Sequence, residues 1–459
     1  MTPSGMSRRT FLAGISAAAA SGTMPAMALT PSRGLPRPTP QQLAWQRDEL
    51  ALFVHFGVNT FTDREWGDGK EDPAIFNPTQ LDARQWARAA RAAGARAMIL
   101  TAKHHDGFCL WPTATTRHSV AASPWHGGHG DVVREFVDAC RAEGLRAGLY
   151  CSPWDRNALV YGDTPRYNDF YCEQLTELLT RYGEINEVWF DGANGEGPNG
   201  RHQTYDWPRI HALVRKRQPN AVMFSDAGPD VRWCGNELGI AGDPNWSMID
   251  PASVPQPGVS GEQVIAALQH GDPAGRVWRP AECDVSIRPG WFYHDAEDAK
   301  LRSVDDLMAL WFSSVGRNAK LLLNVPPTRA GQFHATDVQR LGAWRAERSR
   351  LFAEDFAARR PIRWSRTGTH RAVAEIDLGG TVDCGLLHLE ERIEQGQRIA
   401  RYVVHGATET GDWHELAHGT TIGYCKLDRF NSTSLRRLRV TILDALTPPL
   451  PLRIGIYAG

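Results

Sequence analysis

Along most of the chain, short apolar runs end abruptly in polar residues, and stretches of helical period separate several of them. The runs close at Leu52-Phe53-Val54-His55, Ala97 through His104-His105, Ala147-Gly148-Leu149-Tyr150, Glu187-Val188-Trp189-Phe190-Asp191, Ala221 through Ser225-Asp226, and Leu321-Leu322-Leu323-Asn324. Helix-period segments run from Leu81 to Ala93, Val132 to Glu143, Tyr171 to Tyr182 and Pro208 to Arg217. Alternation of this kind over about three hundred residues predicts a parallel sheet. Eight strands are reached if Val231-Arg232-Trp233 and Arg276-Val277-Trp278 count as weak ones. The fold class is therefore α/β, and a (β/α)8 barrel is expected over residues 41–355.

Past Asn324-Val325-Pro326-Pro327 the pattern changes. A helix-like stretch from Asp337 to Glu354 precedes short alternating strands at Val373 to Leu378, Cys384 to Leu389, Arg398 to Val404, Trp413 to Ala417, Arg437 to Ile442 and Leu452 to Tyr457. Short strands broken by Gly and Asp turns predict a C-terminal β-sandwich over residues 356–459. Its default role is support of the barrel. Trp413 and Tyr424 are its evident aromatic candidates for contact with a sugar.

Composition narrows the partner and the compartment. With 51 Lys+Arg against 52 Asp+Glu there is no net field to draw nucleic acid or an anionic membrane. Ser7-Arg8-Arg9-Thr10-Phe11-Leu12 opens an alanine-rich apolar stretch ending in Ala26-Met27-Ala28, which predicts a Tat-type signal over residues 1–28 and a periplasmic or secreted mature protein that is not in the membrane. The eight cysteines contain no Cys-x-x-Cys pair, which argues against a zinc site, and no particular disulfide is predicted. Sixteen tryptophans are many, and Trp66, Trp111, Trp154, Trp189, Trp233, Trp246 and Trp291 stand near polar strand ends. Flat rings beside hydrogen-bonding groups suit the faces of sugars, although core packing explains most tryptophans.

The strand-end residues then become candidates for chemistry. Asp before Gly is ordinary turn chemistry, but Asp191 ends a strand in a barrel, where reacting groups are displayed at the strands' C-terminal ends. His104-His105-Asp106 could suggest a metal site. Neighbouring strand residues point to opposite faces, so consecutive imidazoles rarely chelate one ion, and no metal or other cofactor is expected.

Taken in order, Phe53-Val54-His55-Phe56-Gly57, Arg64-Glu65-Trp66-Gly67, Ala102-Lys103-His104-His105-Asp106-Gly107-Phe108, Gly148-Leu149-Tyr150 and Val188-Trp189-Phe190-Asp191-Gly192 resemble the motifs of the α-L-fucosidases of glycoside hydrolase family 29. The likeness runs from about Trp45 to the C-terminus. It implies a retaining enzyme with a catalytic barrel and a β-sandwich, acting on fucosylated oligosaccharide or glycoprotein glycans. It also implies Asp191 as nucleophile, with His55, Glu65, Trp66, His104, His105, Tyr150 and Trp189 around the fucose. Trp66 would then bury the 6-methyl group.

Retention requires a second carboxyl as acid and base. Glu237 and Glu282 both follow possible strand ends beside tryptophans, and physics alone does not separate them. Arg232-Trp233-Cys234-Gly235-Asn236-Glu237 resembles the acid/base motif of the subfamily that prefers α-1,3/1,4-linked fucose, and Pro280 to Tyr293 is similar to that subfamily too. The expectation is Glu237 as acid/base and Glu282 in a binding or supporting role, with Trp291 or Trp246 as the wall for a branching galactose. A broad-specificity α-L-fucosidase and a non-catalytic fucose-binding protein are the alternatives.

Overall fold

A computed structural model describes residues 34–459 apart from Thr410. The export signal expected over residues 1–28 lies outside the described residues. Eight parallel strands close into a barrel: β1 (Leu50–Val54), β2 (Ala97–Lys103), β3 (Arg146–Cys151), β4 (Glu187–Trp189), β5 (Val222–Ser225), β6 (Val231–Trp233), β7 (Ala281–Ser286) and β8 (Lys320–Asn324). Each strand pairs with its neighbours in the chain, and β8 closes on β1. β1, β2 and β8 are buried at every position, because one face meets the barrel interior and the other the helices. Phe53, Ile99, Tyr150, Trp189, Phe224 and Leu322 fill the interior together with Trp45.

Trp45 reaches the barrel from the helix Pro40–Gln46, which starts with a Thr39/Gln42 capping box and Pro40 in its first turn. Its indole N–H donates to Glu187 Oε2 at 3.0 Å, so the helix plugs the end where the strands begin. Helices Ala83–Ala93, Val132–Ala142 and Thr164–Arg181 follow β1, β2 and β3, and Trp207–Arg217 follows β4. Asp82, Asp131 and Asp206 cap three of them by accepting a backbone N–H.

The second half of the barrel departs from the expected pattern. Val277–Trp278 is no barrel strand: it pairs antiparallel with Met248–Ile249 in a separate ribbon. The barrel strand is instead Ala281–Ser286, just past Pro280, and its alternating Glu282, Asp284 and Ser286 face polar groups inward while Cys283 and Val285 pack outward. A polar inward face disguises this strand as a loop. β5 and β6 are joined by residues 226–230 without a helix.

The C-terminal domain is one antiparallel sheet of β9 (Ile362–Gly368), β10 (Arg371–Glu390), β11 (Ile399–Ala407), β12 (Trp413–Gly419), β13 (Lys426–Ala445) and β14 (Arg453–Tyr457). Its order is β9-β10-β13-β11-β12, with β14 also on β10. The two strands expected at Val373–Leu378 and Cys384–Leu389 are a single strand whose register shifts near Gly379-Gly380. The domain docks beneath the barrel: Tyr424 donates from its hydroxyl to Ala319 O at 2.8 Å and from its N–H to Asn318 Oδ1 at 2.9 Å, immediately before β8 begins. Tyr424 is thus buried in the junction and presents no face to a sugar. All eight cysteines are buried and unbridged.

Candidate active site

Because the strands are parallel, their C-terminal ends share one mouth, and the candidate residues cluster there. His55 follows β1, His104 and His105 follow β2, Tyr150 lies in β3, Trp189 ends β4 and Asp191 comes two residues later. The rings form a continuous wall: His55 to His104 at 5.6 Å between centroids, His104 to His105 at 4.2 Å, His104 to Tyr150 at 5.9 Å and Tyr150 to Trp189 at 5.3 Å. Trp291 and Phe292, on the turn after β7, close it against His55 at 5.1 Å and His104 at 5.0 Å.

Asp191 stands at the edge of this wall. Its Oδ2 lies 3.4 Å from the Tyr150 hydroxyl and 3.9 Å from His105 Nε2, and its Oδ1 accepts from Ala193 N at 2.6 Å. Ser152 Oγ, which donates to Trp154 O at 2.7 Å, is free to accept from His105 Nδ1 at 2.8 Å. That makes Nδ1 a donor and turns Nε2 toward the carboxylate. Burial pushes the Tyr150 phenol far above its ordinary range, so it remains a donor.

His55 and His104 are neutral donor–acceptors. Burial lowers His55 to about 4 and holds His104 well below the usual histidine value. His55 Nδ1 donates to Asn324 Oδ1 at 2.8 Å, while Asn324 Nδ2 donates to Ser286 Oγ and to Trp291 O, which fixes the imidazole with Nε2 available as an acceptor. His104 Nδ1 is buried without a hydrogen-bond partner. A polar atom left in that state calls for a ligand hydroxyl or water.

The two remaining carboxyl candidates stand in different places. Glu237 is half-buried on the turn after β6, where Asn236 accepts from Leu238 N and Ile240 N and donates to Ile240 O at 2.7 Å. Leu238 and Ile240 flank it as exposed apolar side chains. Glu282 is fully buried inside the barrel, accepting from Trp189 Nε1 at 3.0 Å, with Lys320 Nζ 3.6 Å away. Burial, with the charge of Glu187, pushes its carboxyl well above the usual range. Glu282 therefore supports Trp189 from below.

Glu65 ties two rims of the mouth together: it accepts from Trp291 N at 2.8 Å, Phe292 N at 3.1 Å and His294 Nε2 at 2.8 Å. Trp66 is 44% exposed, with its ring 6.0 Å from His105 and 5.9 Å from Trp154. Trp246, expected as a possible wall, lies elsewhere. It is buried between Asn245 and Ser247, which bond to Asn318 ahead of β8, so it belongs to the end of the barrel remote from the mouth.

Lys103 finds the expected carboxylate, Asp155, at 2.9 Å and Gln174 at 2.8 Å, fully buried behind the site. Among the described residues no three His, Cys, Asp or Glu side chains gather to hold a metal ion. Sequence reasoning missed Asn324, Ser152 and Asp284, whose carboxyl accepts from Trp233 Nε1 at 2.7 Å. Asn324 carried a signal, since it ends the apolar run of β8; Asp284 was hidden with its strand.

A family model described as α-L-fucosidase matches residues 41–346. The chain is 42% identical over 452 residues to α-L-fucosidase 1 of Arabidopsis thaliana, a match covering 92% of this chain and 88% of that one. A crystal structure of a glycoside hydrolase 29 family member from an unknown rumen bacterium superposes with a TM-score of 0.85 at 40% identity, covering 93% of this chain and 78% of that one. A Ruminococcus gnavus glycoside hydrolase 29 fucosidase in complex with fucose gives a TM-score of 0.83 at 30% identity, covering 94% and 96%.

Proposed function

The chain belongs to the α-L-fucosidase family, glycoside hydrolase family 29, and is a glycoside hydrolase of fucosylated glycans; from that premise we propose that it releases terminal α-1,3/1,4-linked L-fucose by double displacement with retention. Asp191 attacks the anomeric carbon while Glu237 gives a proton to the departing oxygen. Glu237, then anionic, takes a proton from the water that frees the sugar. The two carboxyls should stand about 5–5.5 Å apart across the bound sugar, the spacing that leaves no room for an intervening water.

The observation that carries this reading is the placement of Asp191 at the edge of a wall of neutral, oriented donors and acceptors. Tyr150 OH stands 3.4 Å from its Oδ2, and the unpartnered Nδ1 of His104 is close behind. Neutral imidazoles suit sugar hydroxyls, because they donate and accept without favouring an anion. The half-exposed Trp66 supplies an apolar surface for the 6-methyl group, where a hydroxymethyl would lose hydrogen bonds to water.

Linkage preference rests on the loops. Trp291 stands beside His55 at the rim, and Leu238 and Ile240 flank Glu237, so the leaving sugar would meet apolar surface. Hydrolysis of Lewis-type trisaccharides against an α-1,2-fucosyl lactose tests this. The trisaccharides should give a kcat/KM higher by about 10²-fold or more; equal rates would leave a fucosidase of broad specificity. Export is the same reading's statement about place: replacing Arg8 and Arg9 by lysine should retain the protein in the cytosol, and unchanged export would remove the twin-arginine signal from it.

A further inference from the structure

The rim residue His294 has no part in the chemistry above, yet both its ring nitrogens are engaged. Nδ1 lies 2.8 Å from Asp63 Oδ1 and Nε2 lies 2.8 Å from Glu65 Oε1. Two carboxylates cannot donate, so a ring that satisfies both donates from both nitrogens and is an imidazolium. The two segments it joins differ in anchorage. The turn carrying Trp291 is pinned from within: Arg288 pairs with Asp337 at 2.8 Å and Asp298 at 2.7 Å, Ser286 Oγ donates to Gly290 O at 2.6 Å, and Asn324 holds Trp291 O.

The facing segment is held from outside the barrel, through Glu65, which accepts from Trp291 N and Phe292 N, and through Asp63. Asp63 has a left-handed backbone at φ 59°, the Glu65 side chain is 39% exposed and Trp66 is 44% exposed. Gly290 makes the approach possible, since a Cβ there would stand 2.5 Å from Glu65 Oε1. Resting on the fucosidase reading, we propose that His294 is a positioning residue of the reaction, a latch that holds the Asp63–Trp66 segment to the Trp291 turn and so sets Trp66 over the sugar.

The charges around the ring agree with a cation. Burial draws its pKa down, but the hydrogen bonds to Asp63 and Glu65 and the charges of Glu65 and Glu297 outweigh it, leaving it above the ordinary histidine value. Arg329 lies 3.7 Å from Asp63 Oδ1, the oxygen that also faces His294 Nδ1, and 3.8 Å from Asp295. A raised histidine pKa means the latch is whole at low pH and is lost as pH rises through the folded value. Past that point one nitrogen faces a carboxylate lone pair with no proton between them.

The test is the pH dependence of kcat and KM on an aryl α-L-fucoside, with calorimetric Kd for L-fucose, in wild type, His294→Ala and His294→Gln. His294→Ala should raise KM and Kd about tenfold, the worth of one charge-assisted bond, with kcat close to wild type. His294→Gln, which keeps a neutral donor, should recover part of the loss, and the alkaline rise of KM in the wild type should flatten in both variants. Unchanged KM, Kd and alkaline limb in His294→Ala, or a change confined to thermal stability, would overturn the latch. A wild type that binds fucose but hydrolyses no fucoside would instead overturn the fucosidase reading, and the Kd of the variants would still decide the latch.

Discussion

Strands β1 to β4 and strands β5 to β7 share one barrel but are built by different rules. The first four each lead to a helix, and the side chains at their ends pack on one another from His55 through His104 to Tyr150 and Trp189. β5 and β6 are short and joined without a helix, and a ribbon and a helix intervene before β7. Glu237 and Trp291 sit on the loops of this second half. On the proposed reading the difference would match the chemistry: the sugar held through both steps would meet a packed wall, and the leaving glycan would meet loops that can differ without disturbing it.

Removing the proposed nucleophile is the largest test of the packed half. Asp191→Asn should cost about 10⁴-fold or more in kcat while thermal stability stays near wild type, since Asp191 is at a strand end and outside the apolar core. Turnover close to wild type would move the nucleophile to another residue. Glu237→Ala tests the loop half: kcat on substrates with poor leaving groups should fall about 10²- to 10³-fold, while an activated aryl fucoside, which hardly needs protonation, loses far less. Glu282→Ala should behave otherwise. It leaves the buried Trp189 N–H without its acceptor, so unfolding stability should drop by about 1–3 kcal/mol, with any rise in KM even across both substrates. Reversed profiles would exchange the two roles.

The division is partly legible in the sequence. Strands β1 to β4 and β8 stand out because apolar residues fill both faces and the helices between the early ones keep their period. β7 is not legible there because Glu282, Asp284 and Ser286 put polar groups inside the barrel, where burial is satisfied by Trp189, Trp233 and Asn324. Those partners are 93, 51 and 38 residues away in sequence, and no local pattern reports them. For the same reason Trp246 and Tyr424 read as surfaces for sugar, although long-range contacts bury them where the domains meet.

Acid should weaken the packed half before it touches the loops. His55 binds a proton near 6.5 when unfolded but only near 4 when folded, so the unfolded chain holds more protons between those values and stability falls as pH drops through them, by about 3 kcal/mol in all. Urea midpoints from pH 7 to 4 should show this slope in wild type and a shallower one in His55→Gln; equal slopes would remove His55 as its source. The smallest effect belongs to the rim. Trp291→Ala should shrink the preference for α-1,3/1,4 over α-1,2 substrates about tenfold, while aryl fucoside hydrolysis changes less. A preference that survives intact would place the leaving-sugar contact on Leu238 and Ile240.

In the proposed mechanism the covalent step is where the packed wall and the loops would act on one carbon. Asp191→Gly removes the attacking carboxylate and leaves a space on the face it occupied, so azide supplied with an activated aryl α-L-fucoside should restore release of the phenol and yield β-L-fucosyl azide, identified by its anomeric proton coupling. Restored release with the α-anomer, or full turnover without azide, would contradict Asp191 as the nucleophile of a retaining fucosidase.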